Sequence, residues 1–270
     1  MKKIKKIWKT KIRVLLPNSV KRLLTKIGNR ISPSDIYSTT SRDEFLLHMS
    51  KINKKQENSN AAQAWWRKQE DWNPYIIHKE YYNNMKNFIN MFFVPHLSND
   101  SVVCDLACAC GDFSVLIADK VKQIDAFDLA ESMINVAINT AKKKKINNIV
   151  FKQADALSID LETNKYDAFM MLGLLTCIDD PYIIEIVKKV HDSMKDGAKL
   201  VLKDGLLINE VNTKYIYNST NEYSAYYRTY DDYLSIFLNN GFSLLSHSLV
   251  ESSHIYMFVF EKKRKHERIL

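Results

Sequence analysis

A strand-like run of apolar residues ends in a carboxylate, and a loop of small residues follows it. The acid is Asp105, and Ala107, Ala109 and Gly111 stand at alternate positions before a helical pattern begins at Asp112. Small side chains allow a ligand to approach the backbone closely, and the first turn of a helix offers unpaired N–H groups to it. This segment therefore predicts a ligand-binding loop between a strand and a helix.

A second carboxylate, Asp128, stands at the end of the next predicted strand, 23 residues after Asp105. An acid at this point and spacing accepts hydrogen bonds from both hydroxyls of a ribose. A dinucleotide-binding loop has the pattern G-x-G-x-x-G, and an alignment that starts at Ala107 puts Asp112 in place of its third glycine. A carboxylate there repels a pyrophosphate, so the pattern favours a ribose-bearing ligand other than a dinucleotide.

The elements that position these residues alternate between strand and helix from Ser101 onward. This alternation predicts an α/β fold in which a mostly parallel sheet has helices on both faces and binds ligands at the carboxyl ends of its strands. The last two strands have no helix between them and predict an antiparallel hairpin. The predicted strands are Ser101–Asp105, Gln123–Asp128, Asn148–Lys152, Tyr166–Leu172, Ala198–Lys203, Phe242–Leu249 and Ile255–Glu261, and the predicted helices are Asp112–Val121, Glu131–Lys143, Pro181–Met194 and Asp231–Asn240.

Taken in order, these segments resemble the class I family of S-adenosylmethionine (SAM)-dependent methyltransferases. The segment from Asp105 to Gly111 is similar to that family's first motif, with alanine at two positions where glycine is usual. Alanine is compatible with this loop if its backbone φ angle is negative. The resemblance covers residues 101–204. It implies a seven-stranded, Rossmann-like sheet, SAM as the cofactor and S-adenosylhomocysteine as its product.

The resemblance also implies which residues bind SAM. Asp128 matches the acid that binds the ribose, Asp155 and Ala156 match a pair that contacts the adenine ring, and the turn at Gly173 matches one that lines the methionine end. The cofactor-binding residues implied in this way are Asp105, Ala107, Cys108, Ala109, Gly111, Asp128, Leu129, Asp155, Ala156, Leu172 and Gly173.

Methyl transfer requires an aligned nucleophile and the exclusion of water, and an oxygen nucleophile also benefits from a base. Asp204 ends the fifth predicted strand at the active edge and is a candidate base, and His78 in an aromatic-rich helical segment is another. Arg228 and Tyr227 lie in an insert that shapes the acceptor pocket in related small-molecule methyltransferases. Arg228 is therefore a candidate ligand for an anionic acceptor.

Two further carboxylates and the four cysteines are interpreted as structural residues. Asp179 and Asp180 precede a helix that starts at Pro181, and a carboxylate at that point commonly caps the helix. The four cysteines form no C-x-x-C pair and accompany no histidine cluster. We therefore expect neither a disulfide framework nor a metal site, but reduced thiols in the cytoplasm.

The predicted organisation has four parts. Residues 1–30 form a basic amphipathic segment, 31–62 a polar connector, 63–98 an aromatic-rich helical cap, and 99–270 the methyltransferase domain.

The first of these parts holds more positive charge than the whole chain. Residues 1–30 contain eleven Lys and Arg and no Asp or Glu, whereas the formal net charge of the chain is +8. Apolar residues recur at helical spacing between these charges in residues 1–28. This is typical of a helix on an anionic membrane surface, or of one that packs on the protein's own body. The first interpretation predicts a cytoplasmic protein that is peripheral at the inner membrane face.

Three functions remain open. The first is O-methylation of a small molecule or of a sugar or polysaccharide intermediate. The second is methylation of RNA bound by the basic N-terminal arm. Nucleic acid is disfavoured because methyltransferases of DNA amino groups place an N-P-P-Y-like sequence after the fourth strand, where this chain has Leu172–Leu175. The third is a non-catalytic adaptor with this fold, which the retention of Asp105, Gly111 and Asp128 argues against.

Overall fold

A computed structural model of the protein describes residues 79–206, 214–218, 223–249 and 255–264. The chain divides into two units, and all of these residues lie in the second, Thr40–Leu270. The predicted basic segment, the polar connector and the first part of the predicted cap, including His78, lie outside the described residues. No helix within the described ranges is long and apolar enough to span a bilayer.

The described residues form nine strands and five α-helices. The strands are β1 (Val102–Leu106), β2 (Gln123–Asp128), β3 (Ile149–Gln153), β4 (Tyr166–Leu172), β5 (Met194–Gly205), β6 (Lys214–Asn218), β7 (Tyr223–Tyr227), β8 (Phe242–Leu249) and β9 (Ile255–Lys262). The helices are α1 (Lys79–Phe92), α2 (Asp112–Ile117), α3 (Glu131–Lys143), α4 (Asp180–Ser193) and α5 (Tyr230–Leu238).

Seven of these strands form one sheet in the order β3-β2-β1-β4-β5-β9-β8. Neighbours among β1 to β5 are parallel, and β9 is antiparallel to both β5 and β8. The predicted seven-stranded, mostly parallel sheet and its terminal hairpin are therefore confirmed.

Alternate residues of the central strands point to opposite faces of the sheet, because side chains in a strand have a period of two. In β1, Cys104 and Leu106 pack with α4 and α5, whereas Val103 packs with α1, α2 and α3. In β4, the residues from Ala168 to Met171 are completely buried, as expected for a parallel strand that is covered on both faces. The helices thus enclose the sheet and leave the carboxyl ends of its strands for a site.

The strand order reverses direction at β1, which lies between β2 and β4. The connection from β1 runs to one side of the sheet and the connection from β3 returns to the other. Open α/β sheets bind ligands in the crevice at such a switch point, outside the carboxyl ends of the strands. The loops that follow β1, β2 and β4 meet at this crevice.

One pair of strands was not predicted from the sequence. β6 and β7 form a separate antiparallel hairpin between β5 and α5. A parallel bridge between Leu206 and Arg228 joins the end of β5 to the residue after β7. The hairpin is therefore attached to the main sheet beside the end of its fifth strand.

Candidate active site

A cavity of about 700 Å³, including its open mouth, lies at the carboxyl ends of the central strands. Eight predicted cofactor residues line it, and Asp105, Cys108 and Gly111 are not part of its lining. The lining residues are Leu106, Ala107, Ala109, Asp128, Leu129, Met133, Ala154, Asp155, Ala156, Leu172, Gly173, Leu174, Cys177 and Ile178.

The loop after β1 has an unusual backbone. Ala107 has a φ of 69° and Ala109 a φ of 46°, so the condition of negative φ expected for these alanines is not met. A left-handed conformation costs a residue with a Cβ about 1–2 kcal/mol. The loop retains it because the amides of Ala107 and Cys108 both donate to the carbonyl oxygen of Phe127, at 2.8 and 2.9 Å.

Gly111 begins the helical end of this loop with a φ of 74°. A Cβ at this position would lie 2.7 Å from the Phe151 ring and 3.0 Å from the Cβ of Ala137. Glycine is thus required both by the backbone conformation and by the close approach of β3 and α3. This explains why the third small residue of the loop is a glycine while the first two are alanines.

Asp128 joins the end of β2 to the loop after β1. Its Oδ2 accepts the amide of Ala109 at 2.8 Å, and its Oδ1 accepts the amide of Ala130 at 2.9 Å. Burial raises the pKa of Asp128, and the backbone hydrogen bonds from Ala130 and Ala109 oppose that rise. The backbone N–H of Leu129 also donates to this carboxylate, and since a carboxylate has about four acceptor sites, Asp128 keeps a site for a ribose hydroxyl.

Asp105 is a buried carboxylate with one unsatisfied oxygen. Its side chain is 1% exposed, and its Oδ2 accepts the Ser114 hydroxyl at 2.6 Å. Its Oδ1 has no hydrogen-bond partner among the described residues. Burial raises the pKa of Asp105 to about 7, and the hydrogen bond from Ser114 opposes the rise. A cationic ligand group would supply the missing partner, although Asp105 is not part of the cavity lining.

Residues 103–197 match the family model described as a methyltransferase domain. This segment is a methyltransferase domain of the class I, SAM-dependent type. Its strand order, its first loop and its second-strand acid agree with this assignment. The cofactor of this family is SAM, and the residues present fit it, since SAM combines a ribose for Asp128 with an ammonium group for the unsatisfied oxygen of Asp105.

The sequence of this chain is similar to those of methyltransferases from other organisms. A demethylmenaquinone methyltransferase of Leptospira interrogans is 27% identical over 152 residues, which are 55% of this chain and 59% of that protein. The ubiquinone biosynthesis O-methyltransferase of Coxiella burnetii is 23% identical over 181 residues, 63% of this chain and 73% of that protein. The chain therefore spans about three fifths of the length of the first relative.

The fold is also similar to that of a SAM-dependent methyltransferase of Leishmania major. The TM-score is 0.60 and the sequence identity is 13%, and the match covers 78% of this chain and 90% of the other.

Asp204 has a different setting from that of the predicted base. Its side chain is 1% exposed. Its carboxylate accepts the amides of Leu175 and Thr176 at 3.1 and 3.2 Å and the Thr176 hydroxyl at 2.9 Å. Burial raises the pKa of Asp204 to about 6, and the positive charge of Lys203 opposes the rise. Asp204 thus holds the 3₁₀ turn Leu175–Cys177 after β4, and this corrects its predicted role.

Arg228 binds carbonyl groups in and beside the same turn. It is 1% exposed, and its guanidinium donates to the carbonyl oxygens of Leu175 and Ile178 at 2.7 and 2.8 Å. It also donates twice to Oδ1 of Asp180, at 2.7 and 3.2 Å. These contacts correct the expectation that Arg228 binds an anionic acceptor, because its donors are directed at the chain itself. Asp204 and Arg228 are positioning residues for the wall formed by Gly173, Leu174, Cys177 and Ile178.

Tyr227, the other predicted acceptor residue, is 9% exposed, and its ring packs on the backbone of Gly205 at the end of β5. Tyr227 therefore supports the attachment of the β6–β7 hairpin and is not part of the cavity lining.

Sequence reasoning missed part of the cavity wall because apolar side chains after a strand give no chemical signal. Leu174, Cys177 and Ile178 line the cavity through the turn that Asp204 and Arg228 hold. Among the described residues, no group of three or more His, Cys, Asp or Glu could hold a metal ion, and no disulfide joins the four cysteines.

Proposed function

We propose that this protein transfers the methyl group of SAM to a hydroxyl oxygen of a small-molecule acceptor. The observation that carries the proposal is the asymmetry of the cavity. One side presents the carboxylates of Asp128 and Asp155 and the loop of small residues, and the other side is the apolar wall after β4. The polar side suits the nucleoside of SAM, and the apolar side suits the exclusion of water from the reacting atoms.

The chain's own residues bind and orient the cofactor. Asp128 accepts a ribose hydroxyl, and Asp105 pairs with the ammonium group. Asp155 is held in place by the amide of Leu157, which donates to its Oδ1 at 2.9 Å, and it stands where the family contacts the adenine ring. When bound, SAM supplies an activated methyl group on a sulfonium. The protein needs only to align an acceptor with it and to keep water out.

The acceptor side of the cavity favours a molecule with an apolar body. Leu174, Cys177 and Ile178 line it. Aromatic and aliphatic groups pack on such a wall, whereas a sugar would leave several hydroxyls without partners there. The name of the Coxiella burnetii relative, a ubiquinone biosynthesis O-methyltransferase, agrees with an acceptor of this chemical type. We therefore favour a phenolic hydroxyl over the hydroxyl of a sugar or polysaccharide intermediate.

Methyl transfer from radiolabelled SAM tests the proposal. Purified full-length protein is incubated with catechol, with a methyl hexoside or with total RNA, and the label in each acceptor is measured. We expect label in catechol and none in RNA. Label in RNA alone would establish the nucleic-acid alternative instead, and SAM binding without transfer to any acceptor would favour the non-catalytic adaptor.

The matched variants are Asp128→Ala and Asp119→Ala. Asp119 is 70% exposed and is not part of the cavity lining, so its loss should change nothing. Loss of Asp128 removes hydrogen bonds to a charged group, worth about 1.5–3 kcal/mol, so SAM should bind roughly 10- to 150-fold more weakly. Equal SAM affinities of the two variants in calorimetric titration would contradict the assignment of the site.

A further inference from the structure

Lys203 is a cation at the carboxyl edge of the sheet that no step described so far uses. It lies near the end of β5 and pairs in register with Leu172, the last residue of β4. Leu172 and the next residue, Gly173, both line the cavity. Because β4 and β5 are parallel neighbours, the backbone of Lys203 stands about 4.8 Å from that of Leu172, at the same edge of the sheet.

The side chain of Lys203 points to the same face of the sheet as that of Leu172. Register partners on neighbouring strands share a face, and so do alternate residues of one strand. Leu172 and Val201 both pack with the apolar cluster on the α1 face, whereas the next residue, Asp204, is directed at the turn on the other face. Lys203 is therefore separate from the contacts that Asp204 and Arg228 make with that turn.

The ammonium group of Lys203 lies beside Gly173. A Cβ on Gly173 would be 3.0 Å from Nζ of Lys203, and no other atom of the described residues, apart from its two chain neighbours, would be within 4 Å of that Cβ. Lys203 is partly exposed, whereas Leu202 and Asp204 on either side of it are buried. The cation thus lies next to a lining residue of the cavity and is accessible to solvent.

The charged residues of the cavity lining are acidic. Asp128 and Asp155 are its carboxylates, and none of the lining residues that the structure describes is Lys, Arg or His. Like charges repel, and they do so more strongly where burial lowers the dielectric constant. A carboxylate of a ligand is therefore favoured at the place where a cation offsets these two charges.

Two other cations near the cavity are engaged with backbone carbonyl groups. Lys189 of α4 donates to the carbonyl oxygens of Ala156 and Leu157 at 3.4 and 2.7 Å, and Arg228 donates to carbonyl groups in and beside the turn after β4. These hydrogen bonds hold parts of the cavity wall in place. Lys203 is therefore the better candidate to meet a ligand carboxylate.

Lys203 also lies at the end of the cavity that is opposite to the nucleoside side. In the sheet order β3-β2-β1-β4-β5, Asp128 on β2 and Lys203 on β5 are three strands apart, which is about 14 Å. In SAM the carboxylate is at the end of the molecule opposite to the adenine. An extended SAM whose ribose meets Asp128 therefore directs its carboxylate toward the side of the cavity where Lys203 stands.

We propose that Lys203 binds a carboxylate at the end of the cavity beside Gly173. Its ammonium group donates a charge-assisted hydrogen bond to this carboxylate. Two molecules of the reaction can supply it: SAM, through its methionine part, or an aromatic acceptor with an acid group, whose ring packs on the wall of Leu174 and Ile178. The second source rests on the proposed function, and the first rests only on SAM as the cofactor.

Calorimetric titration of the full-length protein with SAM and with decarboxylated SAM tests the first source. Lys203→Met keeps most of the apolar stem and removes the charge. It should weaken SAM binding roughly 10- to 150-fold and leave the binding of decarboxylated SAM unchanged, since only SAM offers the carboxylate. Lys203→Arg should retain most of the SAM affinity. Lys120→Met is the control and should match the wild type, because Lys120 is 47% exposed and is not part of the cavity lining.

Binding of catechol and of dihydroxybenzoate to the protein saturated with S-adenosylhomocysteine tests the second source. The two molecules share the ring and its hydroxyls, but only dihydroxybenzoate has a carboxylate. If the acceptor supplies the carboxylate, Lys203→Met should weaken the binding of dihydroxybenzoate by a similar factor and leave that of catechol unchanged, with SAM affinity as in the wild type. This measurement needs no turnover.

The outcomes separate this inference from the proposed function. A loss of affinity confined to SAM, or to dihydroxybenzoate, supports the assignment of Lys203 and identifies the source of the carboxylate. Such a loss without methyl transfer to any acceptor would refute the proposed function alone. Wild-type affinities for all four ligands in Lys203→Met would overturn the assignment of Lys203, and so would equal losses for ligands with and without a carboxylate, because these would show a general effect on the fold.

Discussion

The left-handed residues of the loop after β1 carry the strain of this site. Ala107, Ala109 and Gly111 all have positive φ angles, but only Gly111 lacks a Cβ. The two alanines place methyl groups at the cavity and hold an unfavourable backbone conformation there. Strain of this kind persists where the surrounding hydrogen bonds impose it, and it is commonly found at ligand sites.

This strain predicts opposite effects for reciprocal substitutions. Gly111→Ala should destabilise the protein by more than about 1–2 kcal/mol, because the left-handed backbone and the contact with Phe151 both oppose a Cβ. Ala109→Gly should leave stability unchanged or raise it by up to about 1 kcal/mol, since relief of strain offsets the greater freedom of the unfolded chain. Urea denaturation measures both, and the control Ala141→Gly in α3 should lose about 1 kcal/mol. A loss in Ala109→Gly as large as in this control would contradict the strain.

The raised pKa of Asp105 predicts that SAM affinity depends on pH. Burial holds the pKa of Asp105 at about 7 in the free protein, so below this pH the carboxyl group is mostly protonated. The ammonium group of SAM favours the ionised form, and binding should therefore release a proton below pH 7. Affinity should rise with pH up to about 7 and then level off.

Calorimetric titration in buffers of different ionisation enthalpy measures this proton release. Asp105→Asn should bind SAM more weakly and with no proton release from this position. A wild-type affinity that is constant from pH 5.5 to 8 would show that the ammonium group does not contact Asp105.

At the scale of elements, the 3₁₀ turn after β4 is held from both sides by residues at the ends of β5 and β7. Asp204 at the end of β5 accepts hydrogen bonds from N–H groups of the turn, and Arg228 after β7 donates hydrogen bonds to carbonyl groups of Leu175 and Ile178. The turn provides Cys177 of the cavity wall. The β6–β7 hairpin is therefore coupled to the site through buried polar contacts.

This arrangement predicts that Arg228→Met destabilises the protein by about 3 kcal/mol, because the carbonyl groups of Leu175 and Ile178 and the carboxylate of Asp180 lose the guanidinium donors. Asp180→Asn should cost less than about 1 kcal/mol, since Asp180 is 59% exposed and Arg228 keeps both carbonyls. Chemical denaturation compares the two variants. Equal and small losses of unfolding free energy in the two variants would show that the contacts of Arg228 with the turn do not stabilise the protein. Arg228→Met should also raise KM for catechol more than it weakens SAM binding.

At the scale of the whole molecule, the basic segment 1–28 lies outside the described residues, and its role remains a proposal. We propose that it holds the protein at the anionic inner face of the cytoplasmic membrane. Eleven Lys and Arg in residues 1–30 each contribute about 1 kcal/mol near such a surface, and salt screens this attraction.

The full-length chain should therefore sediment with anionic liposomes at low salt and be released at high salt. A form that starts at Ile31 should remain in solution, with an unchanged melting temperature and SAM affinity. If truncation instead lowers the melting temperature and liposomes make no difference, the segment packs on the protein itself. Salt-sensitive binding to RNA, but not to liposomes, would favour the nucleic-acid alternative.

The elements of the methyltransferase core were predictable from local patterns. The ranges of β2, α3, β4 and β8 agree residue by residue with the predicted ones, since apolar runs and helical periodicity determine them. The β6–β7 hairpin was missed because its pairing depends on the distant end of β5, and a local pattern does not contain that contact.

The candidate site divides in the same way. The order and spacing of Asp105, Gly111 and Asp128 along the chain were sufficient to predict a SAM site, because each stands at a strand end or loop that local sequence specifies. The roles of Asp204 and Arg228 were decided only by the tertiary structure. Their hydrogen-bond partners in the turn after β4 lie 28 and 53 residues away along the chain. A carboxylate at a strand end looks the same in sequence whether it faces the ligand or a buried turn, because only packing determines which of these it contacts.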